Sequence, residues 1–328
     1  MNTKALATLI IGLGAQGFAC ATGIDAYRPV NKVSGEIRIW GSPQDRGLID
    51  QLGKSFGMFH PEVRFSSALH GPDSTLAGVY TGVADIAFMA RELRLPMESM
   101  AYEWVLQYKP FSVEIANGGL TADRPSAQLA VFVHKDNPLT RITMAELDGV
   151  IGAEHKRGGR NVRRWGELGR DGEWGKRPIN VFGQSIDSIP ALFIRTTVMQ
   201  GSRKWNPDYR EFPGGGQEAI RALESDPAGM AIAPLGSATA NVKALAVGES
   251  KTATFHQASR QTIVERMYPL TRSIAVVINR APGKPIDAKV KEFLRFVLSD
   301  DGQAIVARDG AYLPLNAATA SRQLARLE

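Results

Sequence analysis

LHGPDSTLAGVYTGVADIAFMAREL, residues 69–93, decides how this chain is read. His70-Gly71-Pro72-Asp73 is turn chemistry. Ser74 can cap the segment behind it, where Leu76, Val79 and Tyr80 recur at i, i+3 and i+4 on one helical face. Gly82 stands where a C-cap belongs. Val83–Met89 is a short apolar run around Asp85, suited to a buried parallel strand, and Arg91 follows just past its C-terminal end. Open α/β sheets place ligands at that end. A helix start with a hydroxyl, facing an arginine, reads as an anion site. An ordinary αβ unit with a surface arginine is the other reading of the same residues.

Upstream, Glu36–Trp40 alternates like a strand, a tight Gly41-Ser42-Pro43 loop follows, and Leu48, Ile49, Leu52 and Phe56 mark a helix from Asp45 to about Phe59. Val63–Leu69 reads as a second strand. Downstream, Glu98–Tyr108 reads as a helix, and residues 109–128, with Gly118-Gly119 and Pro125, as a linker into new structure. Gln128–His134 is an apolar, β-branched strand. Thr143 and Glu146 form a capping-box pair ahead of a helix to Val150. Ile179–Phe182 reads as a strand and Ala191–Met199 as a helix, with Asp187 or Ser188 as its cap and Pro190 in its first turn. Further strands at Gly229–Pro234 and Ile274–Ile278 alternate with helices at Gln217–Glu224, Ile286–Leu298 and Asp301–Arg308. Strand–helix alternation of this kind specifies an α/β chain with mainly parallel sheets.

At 328 residues the chain is long enough for two domains, and 44% hydrophobic with 22% charged residues is an ordinary globular composition. The net charge of +6 favours an anionic partner only weakly. No basic helix or zinc-finger spacing points to nucleic acid. The five histidines show no metal-ligand spacing such as H-E-x-x-H, so no metal or cofactor is expected, and His70 reads as a solvated loop residue. The basic stretch from His155 to Arg170, HKRGGRNVRRWGELGR, reads as a solvated surface loop, with a partner patch as the alternative.

Residues 1–21 have the build of a secretory leader: Lys4, an apolar run from Ala5 to Gly14, and Ala19-Cys20-Ala21 as a small-x-small cleavage site. GLGAQG at Gly12–Gly17 matches a dinucleotide fingerprint only as text, since it sits inside that leader. Cys20 is the only cysteine, either lipidated or removed with the leader. No later apolar run is long enough to span a membrane.

Six segments, in order, resemble the phosphate-binding proteins of bacterial phosphate ABC importers, within the type II periplasmic binding-protein fold. They are Gly41-Ser42; DSTLAGVYTGVADIAFMARE; LAVFVHKDNPL with ITMAELDGVI; RRWGELGRDGEWGKRPINVFG; YPLTRSIAVVIN; and LSDDGQAIVARDGAYLPL. The resemblance covers about residues 37–315. It implies two α/β lobes joined by a hinge around a ligand cleft, with lobe one at 22–117 and 243–328 and lobe two at 118–242. It implies a monomeric periplasmic protein that captures phosphate or a similar small anion for the importer's membrane subunits and is not an enzyme. Carried over by position, it places Ser42, Ser74, Arg91, Gln184 and Ser188 in the binding loops. Ala90 stands where many members have serine. In the third loop Gln184 replaces the family's arginine, Ile189 its glycine and Pro190 its threonine, and proline has neither hydroxyl nor N–H to donate. That departure keeps a diverged sensor with another ligand as the alternative, and a phosphatase on the same scaffold as a lesser one. Sequencing the exported protein should give an N-terminus at Thr22; an intact Met1 would overturn the leader.

Overall fold

Ile37 and Ile39 alternate with polar residues in GEIRIW, and that period of two puts both on the buried face of the first strand, β1 (Gly35–Trp40). The computed structural model describes residues 23–93 and 96–328; the leader, Cys20 and the GLGAQG string lie outside them. Eleven further strands follow: β2 (Val63–Ala68), β3 (Ile86–Arg91), β4 (Phe111–Asn117), β5 (Leu129–His134), β6 (Arg141–Thr143), β7 (Asn180–Gln184), β8 (Tyr209–Phe212), β9 (Gly229–Pro234), β10 (Val242–Ala244), β11 (Ala246–Gly248) and β12 (Ser273–Ile278).

The strands form two five-stranded sheets, ordered β2-β1-β3-β12-β4 and β10-β5-β9-β7-β8, with β11 and β6 as a small third pair. Each large sheet is mixed, with four strands running one way and one reversed. In the first, β1 runs parallel to β2 and β3 while β12 is antiparallel to β3 and β4. In the second, β7 is parallel to β8 and β9 while β5 is antiparallel to β9 and β10. The reversed strands, β5 and β12, are those on which the chain enters each sheet from the other one, so they approach from the opposite end. This is the two-lobed α/β fold expected from the alternating elements.

Each sheet has its own core. Ile37, Ile39, Phe56, Ile86, Val113 and Phe293 belong to the first; Val131, Leu147, Trp165, Val181 and Ile232 belong to the second. Leu245, Val247, Ile263, Tyr268 and Leu270 pack into the second core. The resemblance puts residues 243–270 in the first lobe; these five side chains are buried with the second sheet, because β11 pairs with β6 and draws the following chain onto that side.

Most expected elements fall within a few residues of their reading. The Thr143–Glu146 capping box closes in both directions, at 3.2 and 3.0 Å. Ser188 Oγ accepts from Ala191 N and caps the helix Ile189–Thr197. The supposed linker at 109–128 instead contains β4, with Val113 and Ile115 buried. A terminal helix, Ala317–Arg326, adds to the elements read from sequence.

The first described residues are clasped by a buried polar cluster. Tyr27 Oη donates to Glu292 Oε2 at 2.8 Å and lies 2.8 Å from His60 Nε2, and Glu292 also accepts from Asn31 N. Burial pushes the Tyr27 hydroxyl up and the His60 imidazole down. Removing a buried donor leaves its acceptors unsatisfied at a cost of about 1–3 kcal/mol. Tyr27→Phe, which keeps the ring packing against Phe59 and Phe296, should therefore lower stability by about that much in urea unfolding; an unchanged midpoint would show the clasp to be energetically idle.

Candidate functional site

Three loops meet where the C-terminal ends of β1 and β3 face the crossing between the sheets. The residues after β1 turn sharply: Gly41 N donates to Ala68 O, and Gly71 N donates to Gly41 O, which ties the Ser42 loop to the loop at 69–74. Gly78 in the short helix Thr75–Tyr80 is required by packing, because a Cβ there would sit 2.6 Å from the Trp40 ring. Asp85 anchors the start of β3 by accepting from Arg38 N and Nη2, both at 2.8 Å. Its carboxyl is pushed up by burial and pulled down by Arg38, with a net fall below its ordinary value.

These loops line a cavity of about 130 Å³ with Ser42, Asp45, Ala90, Arg91, Arg124, Ser126, Ile189 and Tyr312 in its walls. A water's share of liquid volume is about 30 Å³, so the cavity suits a small ion of a few heavy atoms. Of the five expected binding residues, Ser42 and Arg91 line it. Ser188 sits next to the wall residue Ile189 and uses its hydroxyl as a helix cap. Ser74 Oγ donates to Gly71 O at 3.1 Å. Gln184 ends β7 beside a separate small apolar cavity with Pro190, Ile194 and Tyr209, and its carbonyl accepts from Tyr209 Oη at 2.8 Å. His70 is exposed, edge-on to Trp40.

Arg91 differs from expectation in its company. It is the last residue of β3, 1% exposed, and grips Glu98 through both terminal nitrogens at 2.9 and 2.5 Å. It also donates to Glu92 O and Pro72 O. Its Nε is buried without a partner among the described residues. Next to it Ala90 holds φ at +56°, a left-handed conformation costly for a residue with a side chain. The strand irregularity opposite, between Ala275 and Val276, accommodates that twist.

Sequence reasoning missed the cation that keeps contact with solvent. Arg124, in the first crossing, pairs with Asp45 Oδ1 at 2.7 Å and donates to Gln44 O at 3.0 Å. Tyr312 Oη donates to the same Asp45 oxygen at 2.7 Å, and Arg124 also lies over the Tyr312 ring. These partners are 79 and 188 residues from Arg124, so no local pattern could announce them. Among the described residues, no group of three or more His, Cys, Asp or Glu side chains could hold a metal ion.

Asp45 is 2% exposed, and burial pushes its carboxyl up against the lowering pull of Tyr312 and Arg124. The folded protein therefore retains this proton at pH values where the unfolded chain has released it, and stability falls as pH rises through the window above the ordinary value of 3.8. Asp45→Asn cannot titrate. The melting temperature of wild type minus that of Asp45→Asn should shrink as pH rises from about 3.8; a gap that widens would mean that the folded state favours the carboxylate instead.

No family model matches this chain. A phosphate-binding protein PstS from Pseudomonas aeruginosa strain PAO1 is 30% identical over 327 residues, 98% of this chain and 97% of the relative, and the same protein from strain UCBPP-PA14 matches equally. Among solved structures, an ABC-type phosphate transport receptor from Vibrio cholerae superposes with a TM-score of 0.54 at 20% identity, covering 84% of this chain and 99% of that one. PstS from Borrelia burgdorferi gives 0.57 at 18% identity, covering 87% and 99%. The two structures share the fold, and the full-length identity to the Pseudomonas relatives goes further: this chain belongs to the PstS family of phosphate-binding proteins.

Proposed function

We propose that the chain captures phosphate in the cavity between its two sheets and presents it, in the periplasm, to the membrane subunits of an ABC importer. The reading needs no chemistry: it asks for a closable anion pocket and nothing that breaks a bond. The observation that carries it is Arg124, a guanidinium in the wall of a phosphate-sized cavity with 18% of its side chain exposed. Arg124 supplies the charge, while the Ser42 and Ser126 hydroxyls supply hydrogen bonds. Arg91 itself acts as a positioning residue, held by Glu98.

The lobes follow the packing. Lobe one comprises the described residues from 23 to 117 and those from about 273; lobe two lies between, and the chain crosses at 118–128 and at 271–272. Gly118 N donates to Arg272 O, which joins the two crossings. Closure by rotation about these strands fits a hinge.

The third loop is thinner than the resemblance implies. Pro190 has no N–H and Ala191 N is already given to Ser188 Oγ, so of the first helical amides Ile189's is the one left for a ligand.

A hydrogen bond to a charged group contributes roughly 1.5–3 kcal/mol, and 1.4 kcal/mol is about tenfold in affinity. Calorimetry on ligand-stripped protein should show Arg124→Ala weakening phosphate binding by about one to two decades. Arg91→Ala should instead lower stability, by about 3–5 kcal/mol, because it leaves Glu98 charged in a half-buried site. Phosphate affinity unchanged in Arg124→Ala would move the ligand away from this wall of the cavity.

A further inference from the structure

The basic loop at 155–170 has two kinds of arginine. Arg157 donates to Thr197 O and Val198 O, and Arg163 to Gly149 O and Val150 O, so both close the C-terminal ends of helices and are structural. Arg170, at the end of the loop, does something else. Among the described residues its side chain makes one hydrogen bond, a long contact from Nη1 to Pro138 O at 3.5 Å, and its Nε is buried with no partner. It lines a cavity of about 230 Å³ that shares no residue with the cleft.

Arg141 and Lys251 line the same cavity, and Glu146 is its single carboxylate. Glu146 is spent locally: Oε2 accepts from Thr143 N at 3.0 Å and from Thr143 Oγ1 at 2.8 Å, and Oε1 reaches Lys251 only at 3.8 Å. Three cations thus face one committed anion, an arrangement that favours an anionic occupant. Arg141 is already oriented, its guanidinium lying 4.9 Å from the Phe255 ring centroid. The remaining walls mix hydroxyl and apolar residues: Thr140 and Thr143 beside Leu139, Leu168 and Phe255.

We propose that this cavity is a second binding site, separate from the cleft, for a phosphate monoester whose phosphoryl group pairs with Arg141, Arg170 and Lys251 and whose organic body rests on Leu139, Leu168 and Phe255. The forked guanidinium groups fit phosphoryl oxygens, and the buried Nε gains the acceptor it lacks. The cavity is larger than the cleft's, which leaves room for an organic body beside the phosphoryl group.

The test titrates phenyl phosphate into the full chain already saturated with inorganic phosphate. Wild type should bind it, raised salt should weaken it, and Arg141→Ala/Arg170→Ala should lose tenfold or more in affinity. Lys251→Ala, whose side chain is 83% exposed and safe for folding, should weaken it severalfold. Arg124→Ala should leave it intact, which separates this site from the cleft. A second arm sediments the protein with phosphatidic-acid vesicles: co-sedimentation lost in the double variant identifies the ester as a lipid headgroup, and none identifies a free ester. No phenyl phosphate binding to loaded wild type, or binding unchanged in both the double variant and Lys251→Ala, overturns the proposal.

Discussion

Arg272 and Glu92 hold the two sheets in register with each other. Arg272 is fully buried and donates to Glu92 through Nε at 3.1 Å and Nη2 at 2.6 Å. Its Nη1 reaches back to Pro125 O and Ala127 O in the first crossing, and Glu92 Oε1 also accepts from Ser273 N. Gln128 completes the knot, donating to Leu270 O and accepting from Arg272 N. The end of β3, the exit from β4 and the return into β12 therefore meet at one buried ion pair. A charge in that position is tolerated only because each of its donors is matched. Both crossings consequently move as one unit, which limits the two sheets to bending about it.

That knot also explains why the cleft is not simply positive. Glu92 belongs to Arg272 and Glu98 to Arg91, so these two buried arginines each carry a counter-ion before any ligand arrives. Arg124 carries the third, Asp45, but keeps part of its surface in solvent. An incoming anion has to share Arg124 with a carboxylate that burial already disfavours as an ion. Binding then depends on hydrogen bonds placed around the anion more than on net charge, consistent with a site whose attraction is short-ranged and screened little by salt.

Much of the fold was legible because it is written locally. The Thr143–Glu146 box, the Ser188 cap with Pro190 behind it, and the apolar runs of β5 and β9 each sit within a few residues of the feature they specify. β4 reads as part of a linker: Val113 and Ile115 alternate with Ser112 and Glu114, but the glycines and proline after them outweigh so short a period. The short strands β6, β10 and β11 have three residues each, too few for a period to show. The site was half legible: Ser42 and Arg91 could be found from the loops that carry them, whereas the bond from Arg91 to Glu98 depends on how the next helix turns back. Arg124 was hidden altogether, because its meaning comes from Asp45 and Tyr312 and not from its neighbours in sequence.

The uneven two sides of the cleft follow from the same residues. The first sheet and the crossing bring Ser42, Asp45, Arg91, Arg124 and Ser126; the second brings Ile189. With Pro190 lacking an N–H and Ser188 Oγ occupied by Ala191 N, the helix start offers one amide where a longer set would grip an anion. On the proposed reading the anion is fixed mainly by the first sheet and the crossing, because the second sheet contributes only Ile189 to the cavity wall. Phe193, on the same helix, faces the Arg272 guanidinium at 5.0 Å and so packs on the knot between the sheets instead of on the cavity.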